Sequence, residues 1–120
     1  MDNIVHINGL SILISYDAND NRAVIYNHTA HTRIGSFEFL LRTENERFPL
    51  GHPYLMLIGM NLDQKFTKKG IGREVLKHVK NNTGYSICEG KGIKSNITDD
   101  TLPFIDKMRN EGLIESRCVY

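Results

Sequence analysis

Apolar and β-branched residues dominate from Leu10 to Tyr16, and a cluster of Asp and Asn follows from Asp17 to Asn21. Asp and Asn tolerate left-handed backbone and bond their own main chain, so this cluster predicts a turn. Arg22 to His28 then predicts a return strand, and the two runs form a hairpin. Between Arg33 and Arg42, Phe37, Phe39 and Leu41 alternate with Ser36 and Glu38, the period-two pattern of a strand with one wet face. Thr43 to Pro53 is rich in turn residues and predicts a long loop. Tyr54 to Leu62 is almost continuously apolar, which predicts a central strand buried on both faces. The period then changes. Ile71, Val75, Leu76 and Val79 fall on one helical stripe, with Arg73, Lys77 and Lys80 off it. Asn82-Thr83-Gly84 is a stop signal for that helix. A short strand over Tyr85 to Glu89, a loop over Gly90 to Asn96 and a second helix follow. That helix begins around Thr98 to Thr101, buries Phe104, Ile105 and Met108, and ends at Gly112. Leu113 to Tyr120 predicts a last strand. The order β-β-β-β-α-β-α-β predicts a single α/β or α+β domain over residues 1–120 with its helices late in the chain.

Composition narrows the class. With 120 residues, 40% hydrophobic and 24% charged, the chain has the make-up of one globular domain, which excludes disordered, collagen-like and coiled-coil classes. The longest apolar run, Tyr54 to Met60, is far short of the ~20 residues of a membrane-crossing helix. The start, Met1-Asp2-Asn3-Ile4-Val5-His6, lacks the basic and apolar regions of a secretory signal, so a cytoplasmic protein is expected. Cys88 and Cys118 form no C-x-x-C pair and are expected to be partly buried thiols. His28 and His31 lie at a strand end and loop with no third ligand beside them, so no metal is predicted. No G-x-S-x-G elbow supports a hydrolase.

One segment carries chemistry. Between the central strand and the first helix stands Asp63-Gln64-Lys65-Phe66-Thr67-Lys68-Lys69-Gly70-Ile71-Gly72-Arg73-Glu74. Glycines permit a tight turn and close approach of a ligand to the main chain. The first turn of a helix leaves N–H groups unpaired at the positive end of the dipole, which makes an anion seat. From Lys65 to Lys80 six cations face Glu74 alone, a net +5, so the remainder sums to −4 for a total of +1. Other phosphate loops fit less well. Gly90-Lys91 is followed by Gly92 where a Walker A loop needs Ser or Thr, and a dinucleotide G-x-G-x-x-G from Gly70 would need glycine at Val75.

The stretch Leu57 to Leu76, with Lys68-Lys69-Gly70-Ile71-Gly72-Arg73 at its centre, resembles the GNAT superfamily of N-acetyltransferases. The likeness extends from Tyr54 to Ile114 and includes the later helix with Gly112. It implies a mixed, mostly antiparallel central sheet with two late helices, lacking the family's usual N-terminal helices, because the Asp17 to Asn21 turn is too short for them. It also implies acetyl-CoA as cosubstrate. Thr67, Lys68, Lys69, Gly70, Ile71, Gly72 and Arg73 would hold its pyrophosphate, and the backbone of Met60, Asn61 and Leu62 would meet the acyl-pantetheine end. The chain departs from the family at Thr67, where Gln or Arg is usual, and at Met108, where many members carry a tyrosine acid. Tyr85 and Tyr120 are the candidates to replace it.

The implied reaction is direct attack of an amine, on a small molecule or a protein, at the thioester carbonyl. It needs a base with a pKa near the working pH. His52 is the first candidate because imidazole titrates near ~6.5, with Glu38, Glu44 and Glu46 beside it. The second expectation is a catalytically inactive GNAT-like binding module acting through a protein partner, motivated by the missing helices and Met108. A missing acceptor wall is one that a second subunit, in a homodimer, could supply. Nucleic-acid contact through Arg73, Lys77 and Lys80 ranks last for a chain of net charge +1.

Overall fold

The computed structural model describes residues 2–43, 53–67, 69–95 and 101–115. It is an α+β fold with a six-stranded sheet and two helices. The strands are β1 (Asp2–Ile7), β2 (Leu10–Asp17), β3 (Arg22–Asn27), β4 (Thr32–Arg42), β5 (Tyr54–Leu62) and β6 (Ser86–Ser95). A 3-10 turn (Gln64–Phe66) and helix α1 (Ile71–Thr83) join β5 to β6, and α2 (Thr101–Asn110) follows. Spatial order equals chain order, β1-β2-β3-β4-β5-β6. Short turns make the first four pairings antiparallel, while the α1 crossover makes β5 and β6 parallel.

β1 is an addition to the sequence reading. Asn8 and Gly9 turn it into β2 with φ of 48° and 83°. Two consecutive positive φ values mark a type I′ turn, whose twist suits a two-residue hairpin. The predicted loop over Gly90 to Asn96 is corrected as well, because β6 stays in the sheet through Ser95. It does so through a bulge. Leu57 pairs with Glu89 but Gly59 pairs with Lys94, so two steps along β5 match five along β6. Gly90 sits against β5 so closely that a Cβ there would fall 2.3 Å from the Leu57 carbonyl oxygen. The predicted last strand fails at its start, since 113–115 form bends rather than strand, and its remainder lies outside the described residues.

One sheet face and the helices share the core. Ile12, Ile14, Ala23, Ile25, Phe37, Phe39, Leu55 and Leu57 are buried against Ile71, Val75, Leu76 and Val79, the predicted stripe of α1. Gly84, at φ 73°, closes α1 by donating its N–H to the Lys80 carbonyl. Gly112, at φ 78°, does the same service for α2, and Leu113 donates back to the Met108 carbonyl at 2.9 Å. Arg109 reaches from α2 to Glu89 on β6, tying the second helix to the sheet. Cys88 is buried on β6 and held in a disulfide, which corrects the expectation of free thiols there. The second cysteine, Cys118, lies outside the described residues.

Candidate functional site

Strand β5 ends at Leu62, and the chain turns through the 3-10 segment to reach α1. Asp63 donates its N–H to the Ile34 carbonyl at 2.8 Å, which pins the turn to β4. Phe66 is buried and anchors the other side. Gly70 then caps α1 in the left-handed region, φ 83° and ψ 5°, with no side chain bonded over the helix end. The N–H of Glu74 is bonded to the Gly70 carbonyl at 3.3 Å. The amides of Ile71, Gly72 and Arg73 precede that bond, so they belong to the unladdered first turn at the positive end of the helix.

A cleft of about 320 Å³ opens beside this turn. Phe37, Met60 and Leu62 form its floor from the sheet, and Phe66 and Thr67 close one end. Gly70, Ile71, Gly72 and Arg73 form one wall; Pro103, Phe104, Lys107 and Met108 of α2 form the other. Seven of the ten residues expected to hold the cofactor therefore meet at one place: Met60, Leu62, Thr67, Gly70, Ile71, Gly72 and Arg73. Asn61 and Lys69 are exposed and stand outside the lining. Lys68 lies outside the described residues.

The two glycines do different work, which the sequence did not distinguish. A Cβ on Gly70 would meet nothing within 4 Å, so that position faces open space. A Cβ on Gly72 would lie 2.8 Å from the Phe104 ring. Phe104 in turn meets Phe37 edge-on, at 6.4 Å between centroids and 88° between planes. Gly72 thus lets α2 pack on α1, and its side of the turn is covered by an aromatic ring.

The charges are also arranged differently from the expectation of freely presented cations. Arg73 bonds Glu111 through Nη2 at 2.9 Å, and its Nε lies 2.7 Å from the other carboxylate oxygen without hydrogen-bond alignment. Lys80 donates to the Gly112 carbonyl at 2.8 Å. Thr67 donates its hydroxyl proton to the Gln64 carbonyl at 2.8 Å, which leaves its lone pairs, rather than its proton, toward other partners. Lys107 adds a cation on the opposite wall.

The catalytic candidates do not gather here. Glu38 pairs in register with Gly59 and forms an ion pair with Arg22 at 3.4 Å, outside the cleft lining. Tyr85 precedes β6 at the far end of the parallel pair, where Ser86 lies opposite Tyr54. Its nearest titratable partner is Tyr16, whose phenol is pushed above its ordinary value by burial first, then by Tyr85 and Asp17. His52, Glu44, Glu46 and Tyr120 lie outside the described residues. Met108 lines the cleft with a thioether, which has no proton to give. Among the described residues no group of three or more His, Cys, Asp or Glu could hold a metal. His28 and His31 meet instead as an edge-to-face ring pair, 6.1 Å between centroids. Among the same residues no helix is long and apolar enough to cross a membrane.

No protein-family model matches the chain, and no curated protein matches it.

Proposed function

We propose that the chain is an acetyl-CoA-dependent N-acyltransferase whose amine acceptor approaches the end of β5. The observation that carries the reading is the position of the cleft: an uncapped helix start, opened by Gly70, stands directly over an apolar trough at the end of a parallel strand. That pairing suits a ligand with a charged diphosphate and a long, mostly apolar arm. The amides of Ile71 and Arg73 take the diphosphate, with Lys107 facing them across the cleft. Met60, Leu62 and Met108 line the way for the arm toward the strand end. Holding the thioester beside the acceptor is the main contribution, since positioning alone removes several kcal/mol of a bimolecular barrier (~7–11 at best). The backbone near Met60 to Leu62 polarises the carbonyl as the tetrahedral oxyanion forms.

The second reading, a CoA-binding module without chemistry, is favoured by one observation. The polar side chains lining the cleft are Thr67, Arg73 and Lys107, and none of these is a ready base or acid near neutral pH.

Calorimetry with acetyl-CoA separates both readings from neither. The native chain should release heat on binding, and Gly70→Asp should abolish it. Asp tolerates the left-handed backbone, so the added carboxylate acts on the ligand's charge rather than on folding. Absence of heat from the native chain removes both readings. Binding without thiol release across a panel of amines selects the module.

A further inference from the structure

We infer that strand β1 is an assembly edge, built to pair antiparallel with β1 of a second copy and extend the sheet through a two-fold axis at Ile4. The inference is independent of what the cleft binds.

β1 is the outermost strand of the sheet, and among the described residues no strand pairs along its outer side. Edge strands usually carry Lys, Pro or a bulge that blocks another chain. β1, Asp-Asn-Ile-Val-His-Ile, has none of these, and its pairing with β2 runs without a register shift. The opposite edge is treated differently: β6 contains Lys91 and Lys94 and is broken by its bulge. Ile4 is one of the large apolar residues left exposed, at 46%.

The hairpin geometry fixes which groups face outward. A two-residue type I′ turn is flanked by a hydrogen-bonded pair, here Ile7 and Leu10. Such pairs alternate with non-bonded ones along an antiparallel ladder. Ile7, Val5 and Asn3 therefore spend their N–H and C=O on β2. His6, Ile4 and Asp2 turn theirs to the open edge. The short His6 Nδ1 to Ser11 Oγ contact of 3.0 Å fits this assignment, because side chains approach most closely at non-bonded pairs.

A two-fold axis normal to the sheet keeps each side chain on its own face, so residue numbers in a pair must sum to an even number. Centring on Ile4 places all three outward-facing residues in bonded pairs: Ile4 with its own copy, and Asp2 with His6 of the second copy on either side. Each of these pairs exchanges two hydrogen bonds. Shifting the axis to Asn3 or Val5 leaves only two such pairs. The favoured register also puts a carboxylate opposite an imidazole on both flanks and isoleucine opposite isoleucine between them. Charge complementarity and hydrogen-bond parity thus select the same arrangement.

The test is sedimentation of the full chain across a concentration series, with amide hydrogen exchange read by residue. The native chain should dimerise at high micromolar concentration, as a small interface allows. Amides of Ile4 and His6 should exchange slowly only at concentrations where the dimer forms, whereas those of Val5 and Ile7 should be slow throughout. Ile4→Pro removes an outward N–H and leaves the β2 ladder intact, and should weaken dimerisation by about tenfold or more. Ile4→Lys, opposing like charges at the axis, should do the same without altering the main chain. Leu40→Lys, at the other exposed apolar residue of the sheet, should leave the dimer unchanged. A native chain that stays monomeric overturns the inference. So does a dimer that survives both Ile4 variants, or one whose protected amides follow the opposite parity.

Discussion

At the scale of single residues, Gly70 and Gly72 look alike in sequence and differ in cause. Gly70 is required by its positive φ, and Gly72 by the Phe104 ring 2.8 Å from where its Cβ would be. Gly70→Asn should therefore remain within about 0.5 kcal/mol of the native stability, because Asn enters the left-handed region readily. Gly72→Ala should cost about 1–3 kcal/mol by overpacking. Urea unfolding of both variants checks the order, and the reverse order contradicts the assignment. Tyr16 offers a second residue-level check. Its hydroxyl donates to Asn21 Oδ1 at 3.0 Å, and its pKa is raised by burial and by Tyr85 and Asp17. A folded-state pKa above the unfolded one gives stability that is complete below pH ~10 and lost as pH rises through the folded value. Tyr16→Phe should be less stable at neutral pH but lose less stability on going to strong alkali. Thermal unfolding at pH 8 and 11 measures both signs. Neither the Gly72–Phe104 contact nor the Tyr16–Tyr85 proximity was legible from spacing, since each joins positions far apart in the chain.

At the scale of elements, α1 was legible because its stripe is buried on one side and its stop signal is a glycine that must take positive φ. The hairpin β2–β3 was legible from the Asp17 to Asn21 turn for similar local reasons. β1 was missed because it is mostly exposed and shows a sparse apolar pattern, although Asn8-Gly9 is a strong hairpin signal. The continuation of β6 was missed because Gly90-Lys91-Gly92 is turn chemistry locally. Only the approach of Gly90 to the Leu57 carbonyl shows that the glycine serves a strand contact. The Arg73–Glu111 pair belongs at this scale, since it joins the start of α1 to the turn after α2 across 38 positions. Both side chains are about one-third exposed, so the pair adds under about 1 kcal/mol. Glu111→Gln should leave the melting temperature almost unchanged. It should tighten acetyl-CoA binding about two- to fivefold by freeing the Arg73 charge. Equal affinities in calorimetry would place Arg73 outside the ligand's reach.

At the scale of the whole molecule, the cleft forms where three features meet: the end of the parallel strand β5, the uncapped start of α1, and α2 lying over Gly72. Residues drawn from four parts of the chain line it, so the sequence could name the loop but not the aromatic wall that narrows it. The bulge in β6 adds a second consequence. β5 and β6 remain paired as far as Met60 and Ser95, so a pantetheine arm enters through the trough beside Met60, Leu62 and Met108 rather than between the paired parts of the two strands. Met60→Trp should therefore block the arm and weaken acetyl-CoA far more than it weakens a bare nucleoside diphosphate, which competition binding reads directly.

The central claim is that the first turn of α1 holds the diphosphate. Titration of acetyl-CoA into the ¹⁵N-labelled chain, followed by amide resonances, tests it most directly. The largest shifts should fall on Gly70, Ile71 and Arg73, with smaller ones at Met60 and Leu62. Saturating ligand that moves no amide in the first turn of α1, or moves only residues remote from it, would contradict the account.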